Sequence, residues 1–569
     1  MKIIGLNHGE IDSSAAVVVG GRVLAASAEG RFNRQKKSKV FPRQALGYCL
    51  AMADTKLSDC DLVVQAWNPG AAWEKYNPMI SANRTRREDN FYSIPDHLLN
   101  FVDREPCDWV AMDFPESSKI PRVVHVMHHR AHAANAFFLS PFEEAAVLTC
   151  DWRGEFESAS WGEGKGTQLN VFQKQHMPHS LGMFYATFTE LLGYKSDNDE
   201  WKVMALSAVA GDCEDLLKKV RTTFRLGANG TFELDETCYQ GGHVERPRLY
   251  SEKMVKLLGG RVGAAAEEPS DWHCAVAKAM QLASEEIATH MLMHLHSVTR
   301  SENLAVAGGY FMNSVFNGKI LDRTPFKKLF VSYAPGDIGN SIGAALYAAH
   351  CLHNEERDFS FHSSYLGPEF SRAEVVAALE RRRIKFRVIE RMESEIAALL
   401  ADGNIVAVFN GRMEFGERAL GNRSILADPR RSDIKEKVNS QIKYREGYRP
   451  FAPSTLYEKV HVYFDVDEGF DCPYMEKVVS VREKFRRELP GITHFDGSGR
   501  IQTVKKDVNP RYHSIIAEVE RMTGFAVVLN TSFNINGEPI VLSPDDAIST
   551  FFNSGLEYLA LGNCLVNKQ

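Results

Sequence analysis

The chain has 569 residues, a formal net charge of −6, and 44% hydrophobic against 25% charged residues. This length exceeds what one hydrophobic core usually supports, so it predicts two to four domains. The composition is typical of a soluble globular protein, and the acidic balance gives no electrostatic footprint for general nucleic-acid binding. We therefore expect no nucleic-acid partner.

The ten cysteines are scattered and form no Cys-x-x-Cys pair. This spacing argues against a zinc or redox motif and against a dense disulfide framework. No basic-then-apolar leader precedes "MKIIGLN", and no apolar run approaches the roughly 20 residues that a membrane helix needs. The expected location is therefore cytoplasmic, without membrane association.

The first predicted elements are three strands, "KIIGLN", "SAAVVV" and "RVLAASAEG". The Gly20-Gly21 pair between the second and third strands is typical of a hairpin. The polar turn "HGEIDS" places Asp12 beside the start of the second strand.

Two later segments also deliver acids or glycines at strand ends. The strand in "EAAVLTCDWRGE" ends at Asp151, and the strand in "ENLAVAGGYFMNSVFNGKI" leads into Gly308-Gly309 and a predicted helix. Such turns can form binding sites for phosphates and their metal ions. Three of them in the first part of the chain predict a duplicated α/β nucleotide-binding core.

The domain boundary is predicted after the helix "DIGNSIGAALYAAHCLHNEE". The segment that follows, "RDFSFHSSYLGPEFS", is rich in polar and turn-forming residues. A new helix, "RAEVVAALERRRI", and a new strand, "GNIVAVFN", come after it. We expect one domain over residues 1–360 and a second α/β domain over 366–569.

The stretch "HHRAHAAN" places His128 and His132 four residues apart in an alanine-rich helix. Side chains at this spacing share one helix face, which suits two imidazoles that bind one metal ion. Because His129 stands where a metalloprotease needs glutamate, a zincin is not indicated. Asp337, just before a helix, is suited to be a third ligand; the alternative is an ordinary polar helix face.

A second cluster of positive side chains lies among the glycines of residues 410–454. Arginine side chains bind phosphate or carboxylate oxygens through paired hydrogen bonds, and glycines allow close approach of the backbone. "FGERALGNRS" has no clean helical amphipathicity, so an anion-binding pocket is favoured over a solvated basic face. The cluster contains Arg412, Arg418, Arg423, Lys443, Arg445 and Arg449.

Motifs along almost the whole chain resemble those of the ATP-dependent O-carbamoyltransferase family. They are "HHRAHAAN", "AVAGGYFMN", "APGDIGNSIGAA", "EFGERALGNRSILADP", "REGYRPFAPS" and "LNTSFNINGEPIV". The resemblance implies an α/β chain with a duplicated N-terminal domain of the actin-like (ASKHA) class, similar to the tRNA threonylcarbamoyl-transfer protein. It also implies a YrdC-like C-terminal α/β domain that forms carbamoyl adenylate.

The same resemblance assigns roles to individual residues. His128, His132 and Asp337 match metal ligands, usually of iron(II), and ATP implies Mg²⁺ as well. The carbamoyl phosphate and ATP positions are Arg418, Lys443, Arg449, Asn530 and Ser532. The nucleotide-handling positions are Lys36, Asp151, Gly308, Gly309 and Asn313.

Some positions depart from the family pattern. Ile11-Asp12 stands where relatives have His-Asp, so Asp12 is the catalytic base that we expect, with His8 as a second candidate. Trp152 replaces a glycine, and the glycines that usually flank Lys202 are absent. These changes favour an unusual acceptor.

The predicted function is O-carbamoyl transfer from carbamoyl phosphate and ATP, through carbamoyl adenylate, to a hydroxyl of a small-molecule acceptor. A sugar kinase of the same nucleotide-binding class and a non-catalytic ATP-dependent binding protein remain alternatives. Transfer to tRNA is disfavoured by the acidic composition. Residues 66–120 match no motif and are expected to shape the acceptor pocket with the aromatic residues Trp67, Trp73, Tyr76, Phe91 and Tyr92.

Overall fold

A computed structural model of the protein describes residues 1–8, 12–68, 109–113, 115–240, 248–260, 262–263, 269–359 and 363–568. The chain divides into two compact units. The first contains Met1–Ala26 and Lys39–His362, and the second contains Ser27–Ser38 and Ser363–Gln569. Ile11 and the predicted pocket residues Trp73, Tyr76, Phe91 and Tyr92 lie outside the described residues.

The first unit contains two main sheets. Its strands are β1 (Lys2–Asn7), β2 (Ser14–Val19), β3 (Arg22–Ala28), β4 (Leu62–Gln65), β5 (Trp109–Met112), β6 (Arg122–Val126), β7 (Glu144–Cys150), β8 (Glu157–Lys165), β9 (Gln168–His176), β10 (Phe224–Leu226), β11 (Phe232–Leu234), β12 (Asn303–Ala307) and β13 (Lys328–Val331).

The two sheets share one connection order. The first runs β3-β2-β1-β4-β6-β5 and the second runs β13-β12-β7-β8-β9. In each, an antiparallel pair (β1 with β2, β7 with β8) joins a parallel neighbour (β4 or β12). The predicted duplicated α/β core is therefore confirmed, and the turns after β1 and β7 occupy equivalent places in the two halves.

The helices of the first unit connect these strands along the chain, and the last helix follows β13. They span Arg43–Met52, His128–Phe138, Leu181–Leu191, Glu200–Leu206, Glu214–Arg221, Glu252–Leu258, Asp271–Thr299, Ser314–Asn317, Ile320–Arg323 and Asn340–Tyr347. Short 3₁₀ turns cover Leu57–Asp59, Glu116–Ser118, Ala228–Gly230, Gly309–Met312 and Asp337–Gly339, and a π-helical turn covers Ala348–Leu352.

The helix predicted after Gly308-Gly309 is interrupted. A 3₁₀ turn covers Gly309–Met312, and a four-residue helix then begins at Ser314. The interruption comes at Asn313, whose side chain accepts the backbone N–H of Phe316 and caps the second helix.

The second unit is built on one eight-stranded mixed sheet in the order β14-β23-β22-β15-β16-β21-β17-β20, with a separate β18-β19 pair. The strands are β14 (Arg387–Val388), β15 (Val406–Phe409), β16 (Arg423–Ala427), β17 (Ala452–Leu456), β18 (Val478–Ser480), β19 (Ser498–Arg500), β20 (Gln502–Val504), β21 (Val527–Ser532), β22 (Tyr558–Leu561) and β23 (Cys564–Asn567).

Helices of the second unit pack on this sheet around one apolar core. They span Glu29–Phe32, Arg372–Arg381, Met392–Ala401, Ile434–Val438, Val460–Tyr463, Glu483–Arg486, Pro510–Thr523 and Pro544–Phe552. A 3₁₀ turn covers Tyr457–Lys459, and a π-helical turn covers Asn439–Lys443. Among the described residues of both units, no helix combines the length and apolar character needed to cross a membrane.

Two helices of the first unit pack without a side-chain spacer. In the helix Asn340–Tyr347, a Cβ added to Gly343 would lie 1.9 Å from the backbone oxygen of Ala131, in the helix His128–Phe138. Because the blocking atom belongs to the backbone, no side-chain rotation can relieve the contact. The glycine therefore sets the separation of the helix that carries both histidines from the helix that follows Asp337.

We predict that Gly343→Ala lowers the stability of the first unit by about 1–3 kcal/mol, because the added methyl group forces these helices apart. Gly47→Ala is the matched control, since this exposed helical glycine has no atom within 4 Å of the added Cβ. Thermal unfolding should show a lower melting temperature for Gly343→Ala and an unchanged or raised one for Gly47→Ala. Equal melting temperatures for the two variants would contradict the packing described here.

Candidate functional site

Three buried side chains and one partly buried side chain, that of Asp337, converge in the first unit. His128 and His132 come from successive turns of the helix His128–Phe138, Asp151 follows β7, and Asp337 opens the 3₁₀ turn before the helix Asn340–Tyr347. One ligand atom from each side chain lies within 4.8 Å of the others. The structure therefore brings together the three predicted metal ligands and adds Asp151, which the sequence resemblance gave to nucleotide handling.

The two imidazoles face each other and share both carboxylates. The Nε2 atoms of His128 and His132 lie 3.0 Å apart. Asp151 Oδ2 is 3.1 Å from the first of these nitrogens and 3.0 Å from the second. Asp337 Oδ1 lies 3.4 and 3.3 Å from the same two nitrogens.

The second carboxylate oxygen of Asp151 is fixed by the backbone. Oδ1 accepts the N–H of Trp152 at 2.8 Å and that of Gly309 at 3.1 Å. Gly308 has a φ of +102°, and a Cβ at this position would lie 2.2 Å from the oxygen of Cys150. The predicted glycine pair thus allows the end of β12 to approach the end of β7 and to orient Asp151.

The charges of this cluster are strongly coupled. Burial lowers the pKa of His128, but the facing carboxylates of Asp337 and Asp151 outweigh burial and raise that pKa to about 9. Burial alone would raise the pKa of Asp151, but hydrogen bonds to His128 and His132 hold it well below its usual range. Burial and the neighbouring Asp151 raise the pKa of Asp337.

A glutamate caps the helix that carries the histidines. Both carboxylate oxygens of Glu155 lie 3.0 Å from the backbone N–H of His128, and Oε1 also accepts the N–H of Asn68 at 2.7 Å. Burial raises the pKa of the Glu155 carboxyl to about 7, so its negative charge, which complements the helix dipole, is complete only above that pH. Glu155 lies four residues after Asp151, so one short turn supplies a cluster residue and fixes the helix.

The donor set fits a divalent metal ion. Two neutral imidazole nitrogens cannot hydrogen-bond to each other through lone pairs alone, so their approach at 3.0 Å requires a shared cation or a proton. Two imidazoles with two carboxylates are a common ligand set for first-row metals, including iron. His129 points elsewhere, with its Nδ1 2.7 Å from the hydroxyl of Thr149.

The expected base lies in the equivalent turn of the other half of the core. Asp12 precedes β2 and has a φ of +49°. Two residues later, the Ser14 hydroxyl donates to the carbonyl of Ile338, directly after Asp337. Trp67, two residues after β4, packs edge-on against the His128 ring, and the ring centroids are 5.5 Å apart.

The predicted nucleotide residue Asn313 is already bonded within the protein. Its amide exchanges hydrogen bonds with Gln281 at 3.1 and 3.2 Å, besides capping the helix that begins at Ser314. These contacts give Asn313 a clear structural role at the end of the loop that starts at Gly308.

A group of positive side chains forms the second candidate site, inside the second unit. Burial lowers the pKa of Lys443 well below its usual range, and Arg445, Arg449 and Lys36 lower it further. Lys36 belongs to the segment Ser27–Ser38, which packs with the second unit. The structure thus brings Lys36 near enough to Lys443 for their charges to repel, although the two are far apart in sequence.

The Lys443 ammonium is held by the loop that follows β21. It donates to the backbone oxygen and hydroxyl of Ser532, and to the backbone and side-chain oxygens of Asn534 at 2.9 Å each. Ser532 also donates its hydroxyl to the Asn534 side chain at 2.6 Å. Ser532 and Lys443, both predicted substrate residues, are therefore in direct contact.

Arg500 is a member of this group that the sequence motifs did not reveal. Burial lowers its pKa well below the usual range, and Arg418 and Arg445 lower it further. Its Nε is buried and has no hydrogen-bond partner among the described residues. Arg500 is the last residue of β19, and its sequence context, "GSGR", carries no anion-binding signature.

The cations outnumber their acidic partners. Arg449 pairs with Glu446 at 3.2 Å, whereas Arg418 forms no hydrogen bond or ion pair within the described part of the chain. Burial lowers the pKa of Arg418. Buried charges are normally paired, so this arrangement indicates a binding site for a multiply charged anion.

Two residues of the predicted cluster have structural roles instead. Arg423 is fully buried; its guanidinium donates to the backbone oxygens of Asn410 and Pro368 and lies over the Phe409 ring. Arg412 donates to the backbone oxygen of Leu366 at 2.7 Å. Their side chains bind backbone carbonyls of their own unit.

Comparison with known protein families finds two family descriptions that match this sequence. The family descriptions "Carbamoyltransferase N-terminus" and "Carbamoyltransferase C-terminus" match residues 2–346 and 397–568. The chain belongs to the carbamoyltransferase family. The resemblance stated from the sequence motifs is thereby confirmed, and the chain is assigned to a family of enzymes.

Two relatives are similar to this protein over most of the chain. The nodulation protein NolNO of Sinorhizobium fredii is 35% identical over 98% of this chain and 79% of its own. The 3'-hydroxymethylcephem-O-carbamoyltransferase of Amycolatopsis lactamdurans is 28% identical over 77% of this chain and 79% of its own. Among solved structures, HypF of T. kodakarensis is 10% identical to this chain and has a TM-score of 0.32. The match covers 62% of this chain and 48% of the HypF chain.

We predict that the first unit binds one divalent ion and that His132→Ala and Asp337→Asn each weaken binding by at least about 100-fold, because each removes a ligand. Isothermal titration with Co²⁺ measures the affinity without any enzymatic assay. His129→Gln is the control on the same helix and should bind like the unchanged protein. Tight binding by His132→Ala would refute the assignment.

We also predict that Glu155→Ala weakens Co²⁺ binding by about tenfold, because the first turn of the histidine-bearing helix loses its acceptor. Glu155→Gln keeps an acceptor oxygen and should lose less. Glu157→Gln removes a nearby buried carboxylate that pairs with Lys174 at 2.8 Å, and it serves as the control. An unchanged affinity in Glu155→Ala would show that the cap does not position the cluster.

Proposed function

We propose that the protein is an ATP-dependent O-carbamoyltransferase that makes carbamoyl adenylate in its second unit and transfers the carbamoyl group in its first. Membership in the carbamoyltransferase family supports the reaction class. The observation that carries the division of labour is that one chain contains two separate sites, a cationic group in one unit and a His/Asp cluster in the other.

Carbamoyl phosphate and ATP are the proposed ligands of the second unit. Arg418, Lys443 and Arg449 bind the phosphate oxygens, with Ser532 beside Lys443 and Asn530 two residues before Ser532 on β21. Both ligands are polyanions and repel each other, so a reaction between them needs concentrated positive charge. The cations of this site supply that charge, and Lys36 and Arg500 extend it. Mg²⁺ accompanies ATP.

The proposed activation proceeds in two parts. Water cleaves carbamoyl phosphate to carbamate and inorganic phosphate. The carbamate oxygen then attacks the α-phosphorus of ATP, forming carbamoyl adenylate as the bond to pyrophosphate breaks. Dividing the transfer in this way replaces one difficult step with easier ones.

In the first unit, the acceptor hydroxyl attacks the carbamoyl carbon, and the bond to AMP breaks. Asp12 is the proposed base that removes the hydroxyl proton, a contribution of about 10²- to 10⁴-fold. The backbone N–H groups near Gly308 and Gly309 and the side chains of Asp151 and Asn313 are proposed to orient the nucleotide.

A divalent ion, iron(II) by family resemblance, would act as a Lewis acid toward the adenylate phosphate when bound by His128, His132, Asp337 and Asp151. Independently of the ion, the chain orients this cluster through Gly309 and Glu155. The acceptor is proposed to be a small molecule with a free hydroxyl, such as a saccharide or another natural product.

We predict that the protein, given ATP, Mg²⁺ and Fe²⁺, forms AMP and pyrophosphate only when carbamoyl phosphate is added. Arg418→Ala should lower this rate by at least about 100-fold because an anion ligand is lost. Arg391→Ala is the control in the same unit, since its side chain is 82% exposed. Formation of ADP, or product formation without carbamoyl phosphate, would indicate a kinase or hydrolase instead.

A further inference from the structure

One buried carboxylate organises the loop that carries Arg418. Glu414 is only 4% exposed, and its Oε1 accepts three backbone N–H groups from beyond Arg418. These come from Leu420 at 2.7 Å, Asn422 at 2.8 Å and Arg423 at 3.1 Å. The carboxylate therefore closes the chain from 414 to 423 into a compact loop with Arg418 at its middle.

Side chains from neighbouring elements fix the same loop on its far side. Asn530 donates its amide to the carbonyl of Ala419 at 3.2 Å, directly after Arg418. The next carbonyl, that of Leu420, accepts the Tyr365 hydroxyl at 2.8 Å and the Gln502 amide at 3.0 Å. The backbone on the C-terminal side of Arg418 is thus held from several directions.

The side chain of Arg418 is free of such contacts within the described part of the chain. A held backbone with an uncommitted guanidinium is the arrangement expected of a preorganised anion ligand. Preorganisation strengthens binding because little conformational entropy remains to be lost when the ligand arrives.

We propose that Glu414 is a positioning residue for Arg418 in the anion site of the second unit. The inference rests on the proposed function, because it takes Arg418 to bind carbamoyl phosphate. Glu414 touches no substrate in this account and acts through the backbone of residues 415–423. The same contacts assign Asn530, expected from the family resemblance to bind substrate, a further role in holding the Arg418 loop.

A double-mutant cycle tests whether Glu414 acts through Arg418. The measured quantity is the KM for carbamoyl phosphate in pyrophosphate release, with saturating ATP. We expect Glu414→Ala to raise this KM about tenfold and to change kcat much less. Glu414→Gln keeps the acceptor oxygen and should restore the KM to within about threefold of the starting value.

In the Arg418→Ala background, adding Glu414→Ala should cost nothing further, because the group that Glu414 positions is already gone. If the double variant raises the KM by the product of the two single effects, Glu414 acts independently of Arg418 and the proposal is overturned. If Arg418→Ala itself leaves the KM unchanged, the proposed anion site is wrong, and this result is distinguishable from failure of the positioning role alone.

A matched control separates positioning from general stability. Glu374 also accepts a backbone N–H, that of Ser371 at 2.7 Å, and caps a helix in the same unit. Glu374→Ala should lower the melting temperature and leave the KM unchanged. If Glu414→Ala does not fold, Glu414→Asp replaces it in the cycle, since its shorter side chain cannot reach all three N–H groups; a KM equal to that of the unchanged protein would then overturn the proposal.

Discussion

Two imidazole nitrogens lie 3.0 Å apart in a buried site, where a proton or a metal ion has to stand between their lone pairs, and the first unit is arranged around this contact. The helix that carries the histidines is capped by Glu155 and packed tightly against the helix after Asp337. Asp151 arrives from the central strand of the second half of the core, with its other oxygen bound to the backbone. Glu155 and Gly343 thus fix the backbone that carries the ligands, and Gly309 fixes the carboxylate of Asp151.

The second unit meets the opposite problem, because it holds cations that repel one another. Within the described residues the Nε of Arg500 has no hydrogen-bond partner, and Arg418 extends from a loop closed by Glu414. Repulsion between these cations lowers the stability of the folded unit, and binding of an anion would offset that loss. The segment Ser27–Ser38 adds Lys36 to this group. A carbamoyl donor with two or more negative charges satisfies that requirement, whereas a neutral alcohol does not.

Sequence patterns predicted the parts of each site that are local in the chain. The four-residue spacing predicted that His128 and His132 share one helix face, the end of a strand indicated Asp151, and the position just before a helix indicated Asp337. The pairing of β7 with β12, which brings Gly309 to Asp151, depends on tertiary structure and left no local signal. The same is true of Arg500. Arg423 was assigned to the anion pocket because burial and backbone pairing cannot be read from charge alone.

The claim that the two units perform separate steps is tested most directly by carbamoyl-phosphate-dependent exchange of labelled pyrophosphate into ATP. This exchange reports formation of the adenylate without transfer to any acceptor. We expect His132→Ala to retain exchange while losing transfer, and Arg418→Ala to lower exchange by at least about 100-fold. Loss of exchange in His132→Ala, or full exchange in Arg418→Ala, would contradict this claim.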